Sequence, residues 1–291
     1  MTSASTTRRR FLKIAAAAGA LAIGADATVL EPNHPRLVRV AIPLPRLPQE
    51  FDGFTIIQLS DFHFDPYFSI IPIRKSVQIT NALKPDLIVL TGDFVSAPAI
   101  ESALRNKRAA LQADPCSEVL KDLRAQHGVW AVLGNHDAFS DPVHVTEALK
   151  AGGINVLSNS AAPIERNSHR FWLAGLADVL ARHADLDAAL KGISPEESVV
   201  LLAHEPDFAD HTAKYPVDLQ LSGHSHGGQI RLPLLGPVYL PTLGRKYPRG
   251  LRTIDRLSLY TNVGIGTLYV PVRWNCAPEI TLITLRSLKP A

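Results

Sequence analysis

Thr55-Ile56-Ile57-Gln58-Leu59-Ser60-Asp61-Phe62-His63 is the stretch that decides the fold. A short, β-branched apolar run reads as a buried strand, and it ends on a carboxylate and an imidazole. Asp61 and His63 flank one residue, so in extended backbone they point to the same side and can share one cation. Four more apolar runs end in the same way. Leu87-Ile88-Val89-Leu90 precedes Gly92-Asp93, and Val129-Trp130-Ala131-Val132-Leu133 precedes Gly134-Asn135-His136-Asp137. Val199-Val200-Leu201-Leu202 precedes Ala203-His204-Glu205, and Val217-Asp218-Leu219-Gln220-Leu221 precedes Gly223-His224-Ser225-His226. Polar groups at several strand ends converge on one sheet edge, where open α/β folds bind their ligands.

Outward from these segments, strands and helices alternate. Helices are predicted at Ile73–Leu83, over residues 101–126 with a break at Asp114-Pro115, and at Pro142–Ala151. That βαβαβα half predicts parallel strands. The second half is richer in strands: Ile154–Leu157, Ala162–Arg166, Arg170–Leu176, Gln229–Leu232, Ser258–Asn262 and Glu279–Leu285, with a helix near Leu186–Leu190. Residues 28–50 are Pro-rich and read as a linker with a strand at Leu37–Ile42, entering a first hairpin. Residues 51–291 then form a single domain, for which 291 residues at 46% hydrophobic content supply an ample core.

The first 27 residues are set apart. Thr7-Arg8-Arg9-Arg10-Phe11-Leu12-Lys13 is a twin-arginine pattern, Ile14–Gly24 is weakly apolar, and Ala25-Asp26-Ala27 is a small-x-small cleavage site. The apolar stretch is too short to span a membrane comfortably and suits a signal sequence. The expectation is export by the twin-arginine translocase to the periplasm, the outer face of the cytoplasmic membrane or the cell wall. Without residues 1–27 the chain carries 26 basic and 26 acidic residues. The pI near 8.9 therefore belongs to the signal, and no nucleic-acid partner is expected. Cys116 and Cys276 stand in no CxxC arrangement and read as two separate buried thiols.

Gly92 lets backbone approach closely and frees the Asp93 carboxylate to bridge two ions. Asn135 offers a neutral oxygen, and His204, His224 and His226 offer imidazoles. The absence of thiolates favours Mn, Fe or Zn over softer metals. His34, His127, His144, His169, His183 and His211 lie outside the blocks and are read as surface residues.

The ordered set D-x-H, G-D, G-N-H-D, H and G-H-x-H resembles the calcineurin-like metallophosphoesterase superfamily over nearly the whole chain from Phe54. The resemblance implies a four-layer α/β/β/α sandwich, two mixed sheets packed face to face with helices outside. It implies one divalent metal ion on Asp61, His63, Asp93 and His226 and a second on Asp93, Asn135, His204 and His224. Phosphomono- or phosphodiester hydrolysis would follow by attack of a hydroxide shared between them. His136 resembles the family's non-ligand histidine, and Asp137 beside it would orient that ring. Gly92-Asp93-Phe94-Val95 lacks the further acidic or asparagine residue of some branches. The Gly223–Ile230 segment, Gly264-Ile265-Gly266, Pro271-Val272-Arg273 and Pro278-Glu279-Ile280 resemble exported or membrane-associated bacterial members, some of which hydrolyse UDP-2,3-diacylglucosamine. Arg273 is read there either as a phosphate clamp or as a structural ion pair. The signal weighs against the nucleotide-sugar substrate, which is made inside the cell. A non-catalytic metal-binding module is the third reading, disfavoured by the retention of His136. Phe64–Pro72 and Leu232–Tyr247 are apolar loops next to the ligands; they either pack on the sheet or form a rim for a lipid-linked substrate and peripheral membrane contact.

Overall fold

A computed structural model describes residues 3–98 and 102–288, with side chains from Arg9 onward. The side chain of Arg8, in the expected twin-arginine pair, and Glu101, the expected start of a helix, lie outside the described residues. Period-2 alternation sorts the central strands into layers. In Thr55–Leu59, Ile57 and Leu59 face one apolar cluster with Ile88 and Leu90. Ile56 joins Leu87 and Val89 in a second cluster. In Val199–Leu202, Val200 and Leu202 enter that same second cluster, while Val199 and Leu201 enter a third. The second cluster is thus the seam between two sheets, and the first and third lie under helices on their outer faces. This is an α/β sandwich.

The first sheet runs Arg36–Leu44, Glu279–Ser287, Thr55–Leu59, Leu87–Leu90, Val129–Ala131, Asn155–Val156. Its last four members are mutually parallel, as the βαβαβα pattern predicts. The second runs Gly250–Ile254, Leu257–Thr261, Leu219–Ser222, Val199–Leu202, His169–Gly175, Ser160–Arg166. Ile70–Leu83, Ala113–Leu120 and Pro142–Ala151 cover the first sheet, and Leu186–Ala189 and Ala209–Thr212 cover the second.

Several expectations change. Arg36–Leu44 pairs in parallel with the last strand, Glu279–Ser287, which lies between it and Thr55–Leu59. Residues 36–44 are therefore an integral edge strand, not part of a linker entering a hairpin. The helical break falls at Leu111-Gln112, between Ala103–Ala110 and Ala113–Leu120. Pro115 sits in the first turn of the second helix, where no amide donor is required of it. Ser3–Ala25 is helical and the turns continue to Asn33. The helical stretch Arg9–Asn33 has the length and apolarity of a membrane-crossing helix, at a mean hydropathy of 1.5, as a signal sequence near an N-terminus also does. Its last turns, from Ala27, lie against the folded body.

Candidate metal centre

Each candidate ligand sits just beyond a strand end, and the two sheets present those ends to one another. Asp61 and His63 are not extended, contrary to the sequence reading: Asp61, His63, Asp93, His224 and His226 all have φ between 40° and 68°. Left-handed backbone at non-glycine residues is costly and persists where surrounding contacts enforce it. Here lateral hydrogen bonds do so, with Asp61 N–H donating to the Gly92 carbonyl and His63 N–H to the Asp93 carbonyl. Gly92 itself has φ +96°, and a Cβ there would lie 2.6 Å from the Gly134 nitrogen and 2.7 Å from His204 Nδ1. At Gly223 a Cβ would fall 2.4 Å from an Asp61 carboxylate oxygen. Both glycines are demanded by the closeness of the strand ends.

The seven candidate ligands come together in this cleft, all of them at most 9% exposed. Asp61, His63 and His226 form one compact donor group, and Asp93, His204 and His224 another. Asp93 spans both, its Oδ2 lying 3.5 Å from His63 Nε2 and 3.1 Å from His204 Nε2. Asn135 Oδ1 lies 2.9 Å from His224 Nδ1.

The hydrogen bonds test whether cations fit. His224 Nε2 faces the Thr242 carbonyl at 2.8 Å and must be the protonated nitrogen of a neutral ring. Its Nδ1 is then a bare acceptor pointing at another acceptor, Asn135 Oδ1. His204 Nδ1 likewise donates to the Thr91 carbonyl at 2.6 Å, leaving Nε2 without a hydrogen-bond partner toward Asp93. His63 and His226 turn Nε2 atoms on each other at 3.0 Å. Facing acceptors in a buried site are what a positive ion resolves, so the donor set fits divalent cations.

The electrostatics agree. Burial pushes His63 down to about 3 and His224 down to about 4, with neighbouring imidazoles adding to the shift. Burial, then His63, holds His226 well below the ordinary range. These rings are neutral, as metal-binding imidazoles must be. Burial and the Asp93 charge push Asp61 up to about 6. His204 goes the other way: against burial, Asp93 and Asp61 hold its proton well above the usual imidazole range.

His136 reaches the same cleft, its ring 4.8 Å from that of His63 and edge-on to it. The Ala97 amide donates to His136 Nδ1 at 2.9 Å, which leaves the proton of the neutral ring on Nε2. Asp137 does not orient this ring. Its carboxylate instead accepts the amides of Asp93, Phe94, Val95 and Gly134 at 2.8–3.0 Å. It locks the loop bearing Asp93 to the turn that opens helix Asn135–Ser140. Burial, with Asp93 adding to it, pushes Asp137 up to about 8. Arg273 takes neither expected role, phosphate clamp or structural ion pair. It is fully buried, donating to the carbonyls of Gly266, Cys276 and Val263. It braces the turn that packs on Asp61 and Phe62.

With this geometry established, comparison with known proteins decides the family. The profile of the calcineurin-like phosphoesterases matches residues 54–228. The chain belongs to the calcineurin-like phosphoesterase family. Among its relatives, the uncharacterized metallophosphoesterase YkuE of Bacillus subtilis is 36% identical over 97% of this chain and 98% of its own. Phosphodiesterase YaeI of Escherichia coli is 32% identical over 96% of this chain and 99% of its own. UDP-2,3-diacylglucosamine pyrophosphatase LpxG of Chlamydia trachomatis is 28% identical over 87% of this chain and 90% of its own. This phosphoesterase is a metal-dependent phosphoester hydrolase.

Sequence reasoning missed the partners that aim the phosphoesterase's ligands. Thr91 and Thr242 act through carbonyls and Ala97 through an amide, and backbone groups leave no signature in side-chain identity. It also missed the cavity of about 360 Å³ above the cluster, bounded by Asp93, Asn135, His136, His224 and His226 at its floor. Its walls are mainly apolar, built from Leu180, Val238, Leu268 and Val270, with Tyr239, Tyr269 and Gln229 adding polar atoms. The tips of the apolar loops stand off the sheet, although Phe64, Ile70 and Tyr247 pack on the core. Tyr67, Phe68, Leu234, Leu235 and Tyr239 are 78%, 55%, 106%, 82% and 62% exposed. Of the six histidines read as surface residues, His127 and His144 are half-buried and the other four are exposed.

Proposed function

We propose that this phosphoesterase holds two divalent cations and hydrolyses, on the outer side of the cytoplasmic membrane, a phosphoester carrying an apolar chain. Asp61, His63, Asp93 and His226 would hold one ion, and Asp93, Asn135, His204 and His224 the other. An oxygen-and-nitrogen donor set without thiolates suits Mn, Fe or Zn. Cations bound there neutralise phosphoryl oxygens and acidify water. The chain's own residues do the rest. His136 carries its proton on Nε2, within the cavity floor, where it can pass to a leaving oxygen. The buried, crowded ligand loops exclude bulk water from beneath the substrate.

The observation that carries the substrate class is the apolar wall directly above a charged floor. A phosphate on the floor places its organic substituent against Leu268, Tyr269 and Val238, where an apolar chain is covered from water. The likeness to LpxG, by its name a UDP-2,3-diacylglucosamine pyrophosphatase, supports a substrate that carries acyl chains. The twin-arginine pattern supports delivery outside the cytoplasm. The test is a series of phosphodiesters of increasing acyl length with the metal-reconstituted protein. kcat/KM should rise about threefold to fourfold per methylene until the cavity is filled. A flat series removes the apolar substrate and leaves the hydrolase.

A further inference from the structure

The expected cleavage site, Ala25-Asp26-Ala27, is not an exposed tail. Ala25 ends one helix and Ala27 lies in the next turn, 7% exposed, its carbonyl accepting the Arg273 amide at 2.9 Å. The following residues are bound more firmly still. The Glu31 carboxylate accepts the amides of Asn275 and Cys276, Pro32 is buried, and Lys75 Nζ donates to the Asn33 carbonyl at 2.8 Å. The clasp reaches the catalytic floor through few steps. Cys276 Sγ donates to the His226 carbonyl, and Arg273 braces the carbonyls of Val263 and Gly266. Segment 27–33 is therefore part of the folded body, and a chain exported already folded presents it closed. A peptidase needs its substrate extended against an edge, so cutting here requires the clasp to open first.

We infer that residues 27–33 are a clasp that preserves the N-terminal helix as a membrane anchor, holding the mouth of the cavity against the outer bilayer surface. Part of this rests on the proposed export. Arg9, Arg10 and Lys13 lie at the far end of the helix, the end that stays on the cytoplasmic side. From Phe11 to Ala25 the helix rises about 21 Å, less than the roughly 30 Å of a bilayer core. A short span draws its attached body down onto the membrane. The surface brought down is suited to it: Val29, Leu30, Tyr67 and Phe68 are exposed beside the helix exit. The loop from Thr267 to Arg273 joins this collar to the catalytic mouth. Thr267 and Pro271 border the helix exit, Tyr269 and Val270 border the cavity, and Arg273 binds Ala27. The bilayer at the collar is then also the bilayer at the mouth.

The test uses the full chain in a bacterium that has a twin-arginine translocase. Carbonate-washed membranes should retain it, with residues before Ala27 intact by mass spectrometry and the body digested by protease added to spheroplasts. Lys75→Ala and Glu31→Ala, made separately, should each shift chain beginning at Thr28 into the soluble fraction. Wild-type chain that is soluble and begins at Thr28 overturns the inference, and so do clasp variants as resistant to processing as wild type. A membrane-bound body shielded from the protease sinks the export reading and the outer face with it. Hydrolysis of a small aryl phosphodiester by detergent-solubilised protein is read separately and reports on the hydrolase alone.

Discussion

The two sheets contribute unlike halves of the centre. Strand ends of the first supply every oxygen, from Asp61, Asp93 and Asn135, together with one imidazole, His63. Those of the second supply only imidazoles, from His204, His224 and His226. Negative charge is thus concentrated on one wall, and the other brings only imidazoles, of which His204 holds its proton when no metal is bound. The division matters because like charges facing one another across a buried seam would force the sheets apart. Asp93 is the carboxylate that joins the two donor groups, touching His63 and His204, while Asp61 crosses the seam only within its own group, to His226.

Removing that shared charge is the strongest way to break the comparison. Asp93→Asn should abolish turnover of a generic phosphodiester and lower bound metal per chain, because both ions lose an anionic partner. Retained activity would mean that the two walls do not share a charge at all. His136→Ala should act on one side only: metal content near wild type, with turnover down about 10²–10⁴-fold, the usual scale for a positioned acid. The loss should shrink for substrates with good leaving groups. Loss of metal as well would place His136 among the ligands.

The pH dependence separates the Asp61 carboxyl from the His63 and His224 imidazoles, which respond with opposite sign. Asp61 is raised to about 6, so without metal its contribution to stability is full below about pH 4 and lost as pH rises through 6. His63 and His224 are lowered to about 3 and about 4. Their contribution is full above about pH 6.5 and lost as pH falls through those values. Ions must displace protons from Asp61 and His204 but none from His63 or His224. Metal affinity and metal-induced gain in Tm should therefore be larger near pH 7.5 than near pH 5. Titration calorimetry at the two pH values checks this, and equal affinities would mean that neither group holds a proton in the metal-free site.

The smallest effect on the chemistry belongs to the rim. Leu234→Asp with Leu235→Asp should cut liposome binding and turnover of a membrane-embedded phosphoester while leaving a small soluble ester nearly unchanged. Both residues are far out in solvent, so unfolding is not expected. Equal losses on the two substrates would place the pair in the catalytic floor's support instead.

Most central strands were legible because buried strands carry dense β-branched apolar runs: Thr55–Leu59, Leu87–Leu90 and Val199–Leu202 were placed at their observed bounds. Gly250–Ile254 was missed. Its three central residues are exposed and it is held only by pairing with Leu257–Thr261, so no periodicity marks it. Helix Asn135–Ser140 was missed because its first turn is the ligand motif itself, which reads as a turn. Arg273 and Asp137 were misassigned for a common reason. Their residue types suggested phosphate and imidazole partners, whereas both spend their hydrogen-bonding capacity on backbone groups, Arg273 within its own turn and Asp137 on the distant Asp93 loop.

Residue identity and order alone determined the chemistry of the donor set, the family resemblance and the βαβαβα first half. Those properties are carried by local apolar runs and by which side chain follows each run. Tertiary structure alone decided that Arg36–Leu44 pairs with Glu279–Ser287, that Asp137 locks the Asp93 loop, that apolar loops stand open around the cleft, and that Ala27 is held by Arg273. Each of these rests on a pairing between segments far apart in the chain. A hydrogen bond to a carbonyl or an amide can be made to any residue, so its partner is set by the fold and not by the letters.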